Sequence, residues 1–206
     1  MPEKATLLLL VGGWGKTNLD RALREAHQAA ALDLLDTLWA TDMIDKAVLA
    51  TDDPAWRDAL SEISVTEDMD QTETPFHFGQ RLTGLIEKHR ARRVLYSGGA
   101  SAPLLSRERW MEILAMMGES ERVAVTNNLH SCDWVGFTPT DETLSLIARQ
   151  TNDNSIAWVL ANEAGAEVMS PAPSAATRFD LDTPADLLIA RRHPGIGPHL
   201  RRFLSG

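Results

Sequence analysis

Residues 5–18, ATLLLLVGGWGKTN, join a continuous apolar run to a glycine-rich turn. An apolar stretch without polar alternation, ended by Gly12-Gly13, is the pattern of a strand buried on both faces, and it predicts a central parallel strand. From Leu19 to about Ile44 the apolar residues Leu23, Ala26, Ala30, Leu34, Leu38 and Trp39 recur at helical spacing, and KAVLAT at 46–51 reads as a second strand. Strand, glycine loop, helix and strand make a βαβ unit, whose crossover is expected to be right-handed.

The alternation continues. A short helix is predicted at 54–62 and a longer one at 76–90, and RRVLYS at 92–97 forms a third strand ending in Gly98-Gly99. A helix at about 106–117, with Ser106 as its cap, leads to a fourth strand, RVAVT at 122–126. NNLHSCDWVGFTPTD then reads as a long functional loop. Helices near 141–149 and 154–164, strands AEVMSP at 166–171 and TRFDL at 177–181, and helices at about 184–191 and 197–204 complete the chain. Such a succession predicts one domain over residues 1–206, a three-layer α/β/α sandwich around a mostly parallel sheet. In such sheets ligands sit beyond the carboxyl ends of the strands.

Composition narrows the function classes. With 44% hydrophobic and 24% charged residues the 206-residue chain has the make-up of an ordinary globular protein. A net charge of −9 argues against a nucleic-acid partner, which would require an excess of Lys and Arg. A lone cysteine, Cys132, excludes an intramolecular disulfide and a Cys-rich zinc site. The apolar run after Ala5 is too short for a membrane span or a secretory h-region, so a cytoplasmic protein without a membrane partner is expected.

Four segments carry candidate chemistry. In VGGWGKTN, residues 11–18, the glycines let backbone N–H groups approach a phosphate or nucleobase, and Lys16 adds a compact positive charge. Neither the G-x-x-x-x-G-K-[ST] spacing nor G-x-G-x-x-G is present, and a plain strand-to-helix turn is the alternative. YSGGASAPLLS, residues 96–106, brings small residues to a strand end, which makes either ligand space or a turn. TNNLHSCDWVGFTPTD, residues 126–141, contributes His130 as a candidate base, Asp133 as a candidate acid and Trp134 as a stacking ring. Cys132 there reads as an inert buried thiol rather than a nucleophile.

The fourth segment is TRFDLDTPADLL, residues 177–188. On a strand, Asp180 and Asp182 would point to one face and could share a divalent cation through oxygen ligands. Thr183, Pro184 and Asp186 meanwhile form a capping-box-like helix start, which needs neither of those acids.

Strand, DLDTPADL, helix resembles the closing D-[VI]-D-T-P-x-D-L segment of the nucleotidyltransferase-like superfamily with the A-type glycosyltransferase fold. It is similar to molybdenum cofactor guanylyltransferases and cytidylyltransferases and to 2-phospho-lactate guanylyltransferases. The element order matches over nearly the whole chain, although only the closing segment is specific by itself. The resemblance implies a nucleotide-diphospho-sugar transferase-like sandwich with nucleotide held by Gly12, Gly13, Gly15, Lys16, Gly98 and Ser101. It further implies Mg2+ on Asp180 and Asp182, and catalytic roles for Lys16 and Asp133. Two departures stand out. WGKTNLDR replaces the family's usual G-x-G-x-R-M/F run after the first strand, and Ser101 occupies the place where many relatives carry a metal-binding Asp.

The function so implied is transfer of a nucleotidyl group from a nucleoside triphosphate to a small phosphorylated acceptor, with a homodimer as a further expectation. Two alternatives remain at this point: a glycosyltransferase using a nucleotide sugar, and a non-catalytic nucleotide-binding protein that has kept the fold.

Overall fold

β1 (Ala5–Val11) runs through the middle of the protein and alternates its side chains between two cores. Leu7, Leu9 and Val11 enter one apolar cluster, and Leu8 enters the other. With both faces covered there is no polar side to the strand, which is why its sequence shows no alternation. Each of these fully enclosed leucines contributes ~1.5–3 kcal/mol of burial.

The computed structural model describes residues 3–12, 15–60, 63–70 and 75–206. After β1 come α1 (Asn18–Trp39), β2 (Ile44–Thr51), α2 (Pro54–Ala59), β3 (Thr66–Met69), α3 (Phe78–His89) and β4 (Val94–Gly98). There follow α4 (Arg107–Met116), β5 (Val123–Thr126), β6 (Trp134–Phe137), α5 (Asp141–Ile147) and α6 (Ile156–Asn162). β7 (Glu167–Met169), α7 (Ala175–Arg178), α8 (Pro184–Arg192) and α9 (Pro198–Ser205) close the chain. The sheet has the order β3-β2-β1-β4-β6-β5-β7, and every pairing is parallel except those of β6, which runs antiparallel to β4 and β5. Helices α1 and α4 pack on one face through Leu34, Leu35, Leu38, Trp110 and Ile113. Helices α3 and α6 pack on the other through Leu82, Leu85, Ile86, Ile156 and Leu160. The three-layer, mostly parallel sandwich expected from the sequence is the observed architecture.

Three expectations need correction. β3 has no counterpart in the sequence reading: TEDM carries two acids and only one apolar residue, and it is a strand because it pairs with β2 at the sheet edge. There Asp68 is clasped by Arg81, Lys88 and His89. Burial opposes its charge, but those three donors outweigh it and bring its carboxyl down to about 2.

The long loop after β5 contains a strand, β6, whose Trp134 is fully buried against Trp110, the ring centroids 5.4 Å apart at 63°. Trp134 is therefore a core residue and not a ring for stacking a ligand. Its neighbour Cys132 is also fully buried, and burial raises its thiol to about 12, as an inert cysteine requires.

TRFDL is not a strand. Residues 175–178 form the short helix α7, capped by the Ser174 hydroxyl, and residues 179–182 carry no regular secondary structure. The sheet ends at β7, and the segment does not add to it. Leu181 is wholly buried in a third cluster with Ala26 and Ala30 of α1, Ala190 of α8 and Leu200 of α9. That cluster is closed by a charged clip: buried Asp33 of α1 accepts the backbone N–H groups of His199 and Leu200 at 2.9 Å each, satisfying the start of α9.

Candidate active site

A cavity of about 600 Å³ opens at the carboxyl ends of the parallel strands. β1 supplies Leu10, Val11 and Gly12, β2 leads into Asp52, β3 into Asp70, and β4 into Gly98, Gly99, Ala100 and Ser101. β6 runs the other way, so the residue that precedes it, Asp133, arrives at this same end. Asp153 comes from the connection between α5 and α6, and Asp180 and Asp182 come from the irregular segment before α8.

The turn after β4 is built for close approach. A Cβ on Gly99 would meet Val11 Cγ2 at 2.7 Å, so only glycine lets this turn lie against the end of β1. The Asp133 carbonyl accepts the Ser101 hydroxyl at 2.7 Å and the Gly98 N–H at 3.1 Å. Ser101 lines the cavity, but it is 93% buried and its proton is committed to that carbonyl. On the other side Asn127 donates to Asp133 Oδ2 at 2.6 Å, fixing the carboxylate.

Asp180 and Asp182 both line the cavity while Leu181 between them is anchored in the core. With Leu181 turned inward, both acids face the cavity without any sheet. His27 of α1 reaches across and donates Nε2–H to the Leu181 carbonyl at 2.7 Å. Burial lowers its pKa, against the pull of Leu181 and of the neighbouring Asp182. Burial, with Asp182 and Asp133 close by, pushes the Asp180 carboxyl up to about 6. Asp133 is also raised, first by burial and then by Asp182 and Asp153, with the Asn127 bond working the other way. Three carboxylates thus repel one another across the mouth of one cavity. They are not drawn into a ready ligand cage: among the described residues no three His, Cys, Asp or Glu side chains converge on an ion position.

Of the residues expected from the sequence, Gly12, Gly98, Ser101, Asp133, Asp180 and Asp182 meet in this cavity. Gly15 and Lys16 are exposed at the start of α1 and do not line it. There Thr17 and Asp20 form a capping box, with Asp20 accepting Thr17 N–H at 2.8 Å. Gly13 lies outside the described residues. His130 is exposed in the loop before β6 and takes no part in the lining.

Sequence reasoning missed His27, Asp52, Asp70, Phe76, Phe78, Tyr96 and Asp153. Asp52 follows the second predicted strand directly and was findable by the strand-end rule. His27 and Asp153 were not, since one sits within a long amphipathic helix and the other in a turn between two helices. The aromatic wall is ordered: Phe78 and Tyr96 meet edge to face with centroids 5.2 Å apart, and the buried Tyr96 hydroxyl donates to Asp153 Oδ2 at 2.8 Å.

No family model matches the chain, and no curated protein matches it in sequence. Solved structures do match in fold. A CMP:2-keto-3-deoxy-manno-octonic acid synthetase complexed with CTP aligns over 91% of this chain and 97% of its own, with a TM-score of 0.65 at 13% identity. A nucleotide-diphospho-sugar transferase from Desulfovibrio desulfuricans aligns over 100% and 98%, with a TM-score of 0.67 at 16% identity. A nucleotidyl transferase from Methanothermobacter aligns over 96% and 98%, with a TM-score of 0.64 at 13% identity. The fold is therefore nucleotide-diphospho-sugar transferase-like over its full length. Among the described residues no helix is long and apolar enough to cross a membrane.

Proposed function

We propose that the chain is a Mg2+-dependent nucleotidyltransferase that binds a nucleoside triphosphate in this cavity and transfers a nucleotidyl group to a small phosphorylated acceptor. The observation that carries the reading is the convergence of Asp133, Asp180 and Asp182 with the small-residue turns Gly12 and Gly98-Gly99 on one cavity of a nucleotidyltransferase-like fold.

The residues fit a magnesium ion. Their donors are hard carboxylate oxygens, and their mutual repulsion is of the kind a cation relieves. Magnesium is commonly held by one or two carboxylates and completed by water and substrate phosphates, so the absence of a closed cage agrees with it. Asp180 and Asp182 would hold the ion, which when bound supplies the positive charge needed beside a triphosphate.

The chain's own part is positioning. Gly12, Gly98 and Gly99 leave room for phosphate oxygens against the backbone. Asn127 orients the Asp133 carboxylate at the edge of the acidic cluster, and the Ser101 hydroxyl fixes the backbone beneath it. An acceptor phosphate oxygen forms a bond to the α-phosphorus, the bond from that phosphorus to the bridging oxygen breaks, and pyrophosphate leaves with the electron pair. A phosphate nucleophile is already anionic, so no side chain has to take up a proton. Lys16, exposed at the start of α1, is the candidate to meet the triphosphate from outside the cavity.

A melting-temperature screen against the four ribonucleoside triphosphates and a set of nucleotide sugars, each with Mg2+ and with EDTA, tests the proposal. At a hundred times its dissociation constant one triphosphate should add about 2.7 kcal/mol of stability with Mg2+ only. That corresponds to roughly 5–10 °C for a chain of this size. Stabilisation by nucleotide sugars instead would make the chain a glycosyltransferase, and no shift with any nucleotide would refute both.

A further inference from the structure

The cavity is strongly one-sided in charge. Asp52, Asp70, Asp133, Asp153, Asp180 and Asp182 line it, and no Lys or Arg does so among the described residues. Asp70 is neutralised in part by Arg81, whose Nε donates to it at 2.6 Å. A divalent cation on Asp180 and Asp182 would balance those two. Asp52, Asp133 and Asp153 are left; Asp133 takes a hydrogen bond from Asn127, while Asp153, beside the aromatic residues, has no Lys or Arg ion pair among the described residues and takes a hydrogen bond from the Tyr96 hydroxyl.

The donor to Asp153 belongs to a group of aromatic residues that also line the cavity. Tyr96 packs edge to face on Phe78, and Phe76, two residues earlier, stands 61% exposed on the same cavity wall. The wall is also rigid. Gly79 donates its N–H to the Gln150 carbonyl at 2.9 Å, clipping the start of α3 to the turn that carries Asp153. Asp153 meets Tyr96 at its hydroxyl, and of the rings lining the cavity Phe76 is the exposed one, so an organic cation drawn by the acid would find its ring face at Phe76.

We propose that the acceptor carries a protonated or quaternary amine, which binds in the cavity at Asp153 and the exposed ring of Phe76. The word acceptor rests on the nucleotidyl-transfer reading given above, whereas the amine site itself does not. An acceptor of this type is a phosphomonoester of an amino alcohol. Its phosphate would reach the metal-holding acids, and its ammonium group would offset Asp153.

Calorimetric titration of the whole protein in Mg2+ with ethanolamine phosphate and with glycerol 3-phosphate, two phosphomonoesters of similar size, tests the inference. The amine ligand should bind at least about tenfold more tightly, a difference of ~1.4 kcal/mol. Asp153→Asn keeps an oxygen for the Tyr96 hydroxyl and removes only the charge, so it should bring the two ligands to parity. Phe76→Ala, at an exposed position where folding is not at stake, should weaken the amine ligand and leave glycerol 3-phosphate unchanged. Equal binding of the two ligands by the wild type, or a preference that survives Asp153→Asn, would overturn the inference. The triphosphate melting shift, measured on the same samples, keeps the two claims apart. Amine preference without triphosphate binding would refute nucleotidyl transfer and leave the amine site standing; triphosphate binding without amine preference would refute the amine site alone.

Discussion

Ser101 donates its hydroxyl to the backbone carbonyl of Asp133, and through that one carbonyl the turn after β4 is tied to the residue that opens β6. The hydroxyl therefore acts on the site through the backbone. Ser101→Ala removes one buried hydrogen bond, while Gly98 still donates to the same carbonyl, so the expected cost is about 1 kcal/mol. In a chain of this length that lowers the melting temperature by roughly 2–4 °C. Urea denaturation should show a lower midpoint with an unchanged slope.

Asp180 sets a pH dependence of definite sign. Its folded-state pKa of about 6 lies above the ordinary aspartate value of 3.8, so between those values the folded protein binds more protons than the unfolded chain. Stability contributed by Asp180 therefore falls as pH rises from about 4 to about 6, and the penalty is complete above that. Asp133 and Asp70, also raised, add in the same direction. Asp68 works in a lower window, since its carboxyl at about 2 gives stability that is lost as pH falls from about 4 towards 2. Asp180→Asn should raise the stability of the metal-free protein at pH near 8 and flatten its decline through the window. Equilibrium urea titrations across pH values measure both effects.

The start of α8 separates structure from chemistry within a few residues. Asp186 accepts from both the N–H and the hydroxyl of Thr183 at 2.7 Å, a cap that uses neither Asp180 nor Asp182. Thr183→Ala should lose about 1 kcal/mol, as helix caps do, with the response of the melting temperature to Mg2+ unaltered. Asp182→Asn should show the reverse, a changed Mg2+ response and little change in the metal-free protein.

Gly79 is needed for the aromatic wall. A Cβ there would run into the backbone carbonyls of Ile147 and Gln150, the latter at 2.8 Å, which cannot swing aside as a side chain can. Gly79→Ala should cost about 1–3 kcal/mol, as overpacking of a tight contact does. Because the strain falls on the turn carrying Asp153, amine binding should weaken along with stability; a variant that loses stability alone would show the wall to be independent of this contact.

The fold was legible where side-chain periodicity reports burial directly. β1 is apolar throughout because both its faces are covered, and Ser106 and Thr183 mark helix starts with their own caps. β3 was illegible because an acidic strand with one apolar residue has no apolar signature, and β6 because its four residues, WVGF, sit inside a polar loop. TRFDL misled in an instructive way. The alternation Asp180, Leu181, Asp182 is real, with the leucine inward and the acids towards the cavity, but it comes from an anchored irregular segment and not from a ladder. The candidate acids were therefore found by a pattern whose structural reason was different. Asp153 and His27 reach the site only through tertiary packing, and no local signal marks them.

The most direct test of the account is the affinity of the protein for its preferred nucleoside triphosphate, measured by equilibrium dialysis with Mg2+ and with EDTA, in the wild type and in Asp180→Asn and Asp182→Asn. The account predicts binding that requires Mg2+ and weakens by about tenfold or more in each variant, equivalent to ~1.4 kcal/mol or greater. Triphosphate binding of equal strength in EDTA, or undiminished in both variants, would contradict it.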